Sequence, residues 1–382
     1  MTMEAASNNG RRLAIFLPSL EGGGAERAMC RLAMGFAKRC VPVDLVLAKK
    51  IGPYLPHVPE SIRVIDLNAN RILASVPGLI RYLRDERPSC LISALSHANV
   101  IAILSRILAR SSAKLIVSEH TPLFQAQANI KVLRDRFLPF LIRVLYYRAD
   151  HIIAVSRGIA DQLAVQGVPR NKIAVIHNPV VDDGLYEKAR EALDHPWFAP
   201  HAPPVIVAAG RLAKEKDFQT LIRAFSLVRK MRQVRLMILG EGERRTELHK
   251  LAQRLGIADD VSLPGFVDNP YKYMKRAAAF TLSSLFEGFP NVLVEAMACG
   301  APIISTDCHS GPAEILENGH WGRLTAVGDA VALARTIEEV LDEAIHPDVK
   351  SRAAIFNVED MTDEYLKLTA AKYSQAALSV VS

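Results

Sequence analysis

Two rounds of one alternation constrain the fold of this chain more than any other feature. Short β-branched runs alternate with segments of helical period, the pattern stops at a proline-rich stretch, and then it restarts. In the first round Leu13–Pro18, Val43–Leu47, Arg63–Leu67, Cys90–Ala94, Lys114–Ser118 and Ile152–Ser156 read as strands. Ala25–Lys38, Val100–Ala109 and Val132–Tyr147 read as helices among them. In the second round the strands are Val205–Ala209, Val234–Leu239, Val261–Leu263, Ala277–Ser283 and Pro302–Ser305. Phe218–Lys230, Glu243–Leu255, Asn291–Cys299, Val331–Glu343 and a terminal Glu359–Ala377 supply the helices. Strands alternating with helices build βαβ units around a parallel sheet. The runs are apolar on both faces, as a sheet covered on both sides requires.

The break falls at His177–Pro204, which holds Pro179, Pro196, Pro200, Pro203, Pro204 and the turn Asp182-Asp183-Gly184. Its composition reads as a linker. A chain of 382 residues is long enough for about two domains. The expected organisation is an α/β chain of two Rossmann-like doubly wound domains: 1–180, a linker over 181–204, then 205–358. A terminal helix over 359–382 has the option of crossing back to the first domain. Two such domains facing across a cleft would hold a ligand beyond the carboxyl ends of their strands. Functional residues are therefore sought just after strands.

Half of the residues are apolar and 23% are charged, which excludes a disordered chain. The five cysteines are scattered with no C-x-x-C, against a disulfide scaffold, a zinc ribbon or a secreted protein. No apolar run reaches the roughly 18 residues of a spanning helix, and residues 1–10 lack the apolar region of a signal peptide. The expected location is the cytoplasm, with a peripheral position on the inner face of the cytoplasmic membrane as an option. The net charge of +7 is uneven. Residues 1–180 carry 24 Lys and Arg against 12 Asp and Glu, while 181–382 carry 23 against 28. A basic half beside an acidic half suggests an anionic partner for the first. The stretches Arg71–Arg87 and Lys131–Arg148 mix apolar and cationic residues. They read either as segments touching anionic lipid or as amphipathic helices packed on the sheet. No nucleic-acid module is present.

Five segments follow strands and carry chemistry. Glu21-Gly22-Gly23-Gly24-Ala25-Glu26 opens a helix; Gly23 and Gly24 let a backbone approach a ligand, and the helix start offers N–H groups to an anion. It is not the G-x-G-x-x-G fingerprint, because Arg27 stands where a third glycine would help. Gly210-Arg211-Leu212-Ala213-Lys214-Glu215-Lys216 places a guanidinium and an ammonium where they could clamp a diphosphate. Gly240 follows the next strand in the same way. The densest signal runs from Phe286 to Gly300. Glu287 sits on a loop, Pro290 sets a turn, and Glu295 lies on an otherwise apolar helix, where a carboxylate needs donors. His120 follows the strand Lys114–Ser118, with Glu119 placed either to orient its ring or to face solvent. His177 reads as structural.

Glu287 and Glu295, with seven residues between them, resemble the E-x7-E signature of retaining glycosyltransferases. The surrounding EGFPNVLVEAMACGAPIISTD is similar to glycosyltransferase family 4, and Arg211 with Lys216, GGGAER and SEHT (Ser118–Thr121) match the same family. The likeness covers nearly the whole chain, most strongly 205–327. It implies the GT-B fold and a hexosyl transfer from a nucleotide-diphosphate sugar, with uridine favoured, to a lipid-linked or cell-surface polysaccharide acceptor bound by the first domain. It implies that Glu295 holds ribose hydroxyls and Glu287 sugar hydroxyls. Arg211 and Lys216 would neutralise the leaving diphosphate, and His120 would contact the donor sugar. Gly23, Gly24, Gly210, Gly240, Phe289, Pro290, Asn291 and Val292 would line the donor site. With no D-x-D in the chain, no metal and no cofactor are expected, and no nucleic-acid partner. The competing readings are a nucleotide-sugar 2-epimerase of the same fold and a non-catalytic sugar-nucleotide-binding protein.

Overall fold

The structure is a computed structural model that describes residues 12–21, 23–122 and 138–369. The chain divides into two compact units, one of residues 1–179 and 358–382, the other of 180–357. The first unit holds seven parallel strands: β1 (Leu13–Leu17), β2 (Val43–Leu47), β3 (Arg63–Asp66), β4 (Cys90–Ala94), β5 (Lys114–Glu119), β6 (His151–Ala154) and β7 (Ile173–Val175). The second holds six: β8 (Val205–Ala209), β9 (Arg235–Leu239), β10 (Val261–Gly265), β11 (Ala279–Leu282), β12 (Ile303–Thr306) and β13 (Arg323–Thr325). Their spatial orders are β3-β2-β1-β4-β5-β6-β7 and β10-β9-β8-β11-β12-β13. Each sheet therefore starts in its middle, grows to one side, and then doubles back to grow on the other.

The two sheets are covered by helices whose apolar stripes face inward. In the Phe218–Met231 helix, Phe218, Leu221, Ile222, Phe225 and Val228 are buried at i, i+3, i+4, i+7, i+10 spacing. Each such side chain contributes about 1.5–3 kcal/mol when fully buried. Asp217 caps this helix in the left-handed region (φ 43°), its carboxylate accepting from the Thr220 amide and hydroxyl. Ser156 and Asp329, from extended backbone, cap the Arg157–Val165 and Ala330–Asp342 helices by accepting from amides of their first turns. Short β7 and β13 add strands that periodicity did not reveal, because three residues are too few to show a period.

One expectation about connections changes. The proline-rich stretch 181–204 is not a bare linker. Asp182 caps a helix over Asp183–Arg190, and Pro196–Phe198 forms a helical turn, both within the second unit. The terminal segment returns to the first unit. Its described helix, Val358–Thr369, packs in the first unit along the Gly24–Lys38 helix. Gly35 makes this approach possible, since a Cβ there would lie 2.1 Å from Thr362 Oγ1. Arg39 then clasps the helix, donating to Asp363 Oδ1 (2.6 Å) and to the Glu359 carbonyl (2.7 Å). Tyr365 enters the core of the first unit from this helix.

At the amino end of the first sheet, Asp44 on β2 is fully buried and accepts from Arg12 (2.8 Å), Arg63 (2.6 and 3.0 Å) and the Tyr82 hydroxyl (2.7 Å). Burial alone would raise its carboxyl, but Arg63, Tyr82 and Arg12 outweigh burial and hold it below the usual range. Tyr82 comes from the Arg71–Arg87 stretch, whose helix Val76–Asp85 buries Leu79, Tyr82 and Leu83. That stretch thus packs on the sheet. Asp44→Asn should lower unfolding stability at pH 7 by about 3 kcal/mol, read from urea denaturation. A lowered folded value means that Asp44 stabilises fully above the unfolded carboxylate value of about 3.9. The difference between wild type and Asp44→Asn should therefore shrink as pH falls from 5 toward 2; a constant difference would contradict this account.

Candidate functional site

In each sheet the strand order reverses between the first strand and the fourth, at β1/β4 and at β8/β11. Connections leave these neighbours in opposite directions, and the gap between them at the carboxyl ends is where open α/β sheets take ligands. In the second unit this rule selects the loop after β8, Gly210–Asp217, and the loop after β11, Ser283–Pro290.

The backbones at these strand ends are packed against one another. Gly210 donates to the Leu239 carbonyl (2.9 Å) and Gly240 to the Gly265 carbonyl (2.8 Å). A Cβ on Gly240, whose φ is +144°, would lie 2.0 Å from the Gly210 carbonyl oxygen, so glycine is obligatory there. The site's floor is therefore bare backbone rather than side chain.

Above that floor, Lys216 Nζ donates to Glu287 Oε1 at 2.5 Å, although the residues are 71 positions apart. The same oxygen accepts from Ser284 Oγ (2.6 Å), and Ser310 Oγ donates to the Glu287 carbonyl (2.6 Å). Ser283 Oγ in turn donates to the Lys216 carbonyl (2.8 Å). The side chains of Lys216 and Glu287 are 19% and 11% exposed. Desolvation of such a pair roughly offsets its attraction, so its consequence is orientation more than stability. Arg211, expected beside Lys216, instead donates to Glu215 Oε1 (2.5 Å) with 71% of its side chain exposed. That pair is worth at most about 1 kcal/mol. Burial pushes the Glu215 carboxyl up, but its own backbone N–H and Arg211 bring it below the ordinary value.

Phe289 and Pro290 are buried and lead into the Asn291–Cys299 helix, which starts without a side-chain cap and with no acidic residue in its first turn. Such a helix start favours an anion. The Phe289 ring is fixed edge-on against Phe356, with centroids 5.4 Å apart. Asn291 is buried at the first helical position, Val292 is half-buried, and Glu295 is 1% exposed within the helix. Burial, helped by the Glu295 charge, pushes the neighbouring Cys299 thiol up to about 12. That thiol is inert.

In the first unit, Gly23 precedes the Gly24–Lys38 helix, and both glycines are exposed. The Glu26 carboxylate folds back over them; a Cβ on Gly23 would lie 2.0 Å from Glu26 Oε2. Gly22 lies outside the described residues. His120 closes β5, 9% exposed, with Nε2 3.0 Å from Ser118 Oγ. Burial pulls its imidazole down to about 3, so the ring is neutral. Glu119 neither turns to that ring nor faces solvent. It is fully buried and accepts from Ser96 (2.7 Å) and Tyr146 (2.8 Å), while the amides of His120 and Thr121 also stabilise it. Burial nevertheless leaves its carboxyl raised. His177 Nδ1 donates to the Val155 carbonyl at 3.0 Å, a structural bond.

The first-unit residues that periodicity and motif reading missed are Ser118, Ser96, Tyr146 and Tyr365. Only Ser118 had a signal, its place in the segment ending at His120. Of the Lys131–Arg148 stretch, residues 131–137 lie outside the described residues. The Leu138–Leu145 helix and the turn after it expose Phe140 (63%), Val144 (40%) and Tyr147 (45%) along one face, beside exposed Arg143 and Arg148. Among the described residues, no group of three or more His, Cys, Asp or Glu is placed to hold a metal ion. No helix among them is long and apolar enough to cross a membrane.

Comparison with known proteins agrees along the chain. Residues 22–183 match the family described as Glycosyltransferase Family 4, and residues 189–355 match Glycosyl transferases group 1. A lipopolysaccharide core biosynthesis glycosyltransferase, LpsE of Rhizobium meliloti, is 30% identical over 363 residues, covering 92% of this chain and 96% of the relative. The N-acetylgalactosamine-N,N'-diacetylbacillosaminyl-diphospho-undecaprenol 4-alpha-N-acetylgalactosaminyltransferase of Campylobacter jejuni is 28% identical over 372 residues, covering 94% and 99%. Among solved structures, Anabaena HepE in complex with UDP-glucose superposes with a TM-score of 0.78 at 22% identity, over 94% of this chain and 98% of that one.

Because the Gly240 position has no room for a side chain, Gly240→Ala should shift β8 against β9 and cost roughly 2 kcal/mol of stability. Thermal unfolding measures this; an unchanged melting temperature would show that the strand-end contact is not as tight as described.

Proposed function

The chain belongs to glycosyltransferase family 4, with the GT-B fold, and on that premise we propose that it moves a hexosyl unit from a UDP-sugar to a lipid-linked or cell-surface polysaccharide acceptor with retention at the anomeric carbon. The observation that carries this reading is the Lys216–Glu287 pair at the reversal of the second sheet, beside the uncapped start of the Asn291–Cys299 helix. Cation, carboxylate and helix amides converge where a sugar diphosphate needs all three. The named relatives act on lipid-linked and lipopolysaccharide acceptors, and the HepE complex carries UDP-glucose. No observation favours an epimerase or a silent binding protein.

In this reading Glu295 accepts from the ribose hydroxyls, and Glu287 from hydroxyls of the donor sugar. Lys216 and the backbone at Phe289–Val292 face the diphosphate and sugar, with Gly210 and Gly240 beneath them. Arg211 reaches the same phosphates after leaving Glu215, a small loss at an exposed pair. In the first unit, His120 contacts the donor sugar, and Gly23 and Gly24 approach the phosphates once the Glu26 carboxylate has moved aside. The anomeric carbon–phosphate oxygen bond breaks while the acceptor oxygen bonds to the same face. The acceptor's hydroxyl proton passes to the departing phosphate oxygen. Preorganised cations and amides on that oxygen supply the catalytic term, since they need no rearrangement as charge develops. No metal enters this scheme.

The basic charge of the first half and the exposed Phe140–Tyr147 face support peripheral contact with an anionic membrane from the cytoplasmic side. Glu295→Ala and Lys216→Ala should each reduce sugar transfer at least about tenfold with the fold intact by circular dichroism. Unchanged turnover in both would sink the site assignment. Binding to anionic liposomes should fall with salt and weaken further in Phe140→Asp; no binding at low salt would remove the membrane contact.

A further inference from the structure

The ring of His120 is held by a chain of hydroxyls that ends on the C-terminal helix. Ser118 Oγ lies 3.0 Å from His120 Nε2 and 3.3 Å from the Tyr365 hydroxyl. Ser118 is fully buried and Tyr365 is 1% exposed. The second separation is long for a hydroxyl pair, but Ser118 is the one partner that Tyr365 has among the described residues. His120 Nδ1 is buried and has no hydrogen-bond partner among them.

The chain can be polarised in two ways. If His120 carries its proton on Nε2, it donates to Ser118, and Ser118 donates to Tyr365. The tyrosine O–H is then a buried donor with no acceptor, and Nδ1 is a buried acceptor with no donor. If instead Tyr365 donates to Ser118, and Ser118 donates to Nε2, the tyrosine is satisfied. One atom alone is left over: an N–H at Nδ1. Buried polar groups without partners are costly, so the second polarity is favoured by one whole group. Burial reinforces it, pushing the Tyr365 hydroxyl up to about 12 so that it keeps its proton, and keeping the imidazole neutral. Glu119 settles the backbone beneath, because it draws the His120 and Thr121 amides toward the buried carboxylate.

We propose that Ser118, held by Tyr365, is a positioning residue that fixes His120 as the Nδ1–H tautomer, so that His120 presents a hydrogen-bond donor to an acceptor oxygen of the bound donor sugar and does not serve as a base. The inference rests on the transferase reading for its substrate but not for its tautomer. It gives the terminal helix a part at the site: Tyr365, which holds Ser118, lies 247 positions from it. It also agrees with a scheme in which the departing phosphate takes the acceptor's proton, because a ring whose Nε2 is engaged and whose Nδ1 is protonated has no lone pair to offer.

The test is nitrogen NMR of histidine-labelled full-length protein, with His120 assigned by its loss in His120→Gln. The expected wild-type signature is a protonated Nδ1 and a bare Nε2. Ser118→Ala leaves Nε2 without a partner, so both tautomers strand both ring nitrogens and a mixture should appear, with kcat about tenfold lower and the donor KM within about twofold. Tyr365→Phe keeps the ring and its packing and leaves Ser118 able to donate to Nε2, so the Nδ1–H form should persist. An Nε2–H ring in the wild type, an unmoved ring in Ser118→Ala, or a switch to Nε2–H in Tyr365→Phe overturns the proposal. Tautomer changes of the expected kind in a protein that transfers no sugar would instead overturn the transferase reading and leave the hydroxyl chain standing.

Discussion

A parallel sheet closes its hydrogen bonds only when every strand runs the same way, so every strand discharges its chain at the same edge. The rest of this structure depends on that constraint. It forces a covering helix after most strands, which is why the strands are apolar on both faces. It also gathers loops from distant parts of the sequence along one edge. Where the strand order reverses, at β1/β4 and β8/β11, connections part in opposite directions and leave a gap. The Lys216–Glu287 pair stands at one gap. Asp44, with its two arginines, sits at the opposite edge of the first sheet, where it can stabilise the fold without touching the chemistry.

The two candidate sites treat buried charge differently. Around Lys216 and Glu287, opposite charges meet in partial burial, with serine hydroxyls holding the carboxylate and the loop backbone. Such a pair can exchange one partner for a ligand's phosphate and the other for sugar hydroxyls without leaving either charge bare. Among the described residues no cation pairs with Glu119 or His120. A fully buried carboxyl is met by hydroxyls and amides, and a neutral imidazole by a serine. The first arrangement is suited to receiving charge. The second is suited to holding a loop still, because a satisfied polar network in a low dielectric resists rearrangement.

Much of the fold was legible because period and burial are local in sequence. β2, β4, β8 and the Asn291–Cys299 helix fall where the pattern placed them. The three-residue β7 and β13 did not show, since a period needs more residues than they have. The stretch 181–204 misled because prolines and an Asp-Gly turn mark a helix start as readily as a linker; Asp182 there is a cap. In the site, Glu287, Lys216 and His120 were visible as chemistry-bearing residues just after strands, and Glu295 as a carboxylate on an apolar helix. Arg211 was visible too, but its turn toward Glu215 was not, because a long exposed side chain chooses its partner by small energies.

By itself, then, the sequence determined two doubly wound parallel sheets and the family motifs at their strand ends, because alternation, glycine turns and short motifs are written in neighbouring residues. Tertiary structure alone decided which of those residues meet. It set Lys216 on Glu287, folded Glu26 over Gly23, turned Glu119 inward, and brought Tyr365 to the ring of His120 by way of Ser118. Each of these contacts joins groups whose identities are local but whose distance is set by strand order and helix packing. A hydrogen bond is satisfied or not by a few tenths of an ångström, a margin that the packed core sets and that no pattern of residue types records.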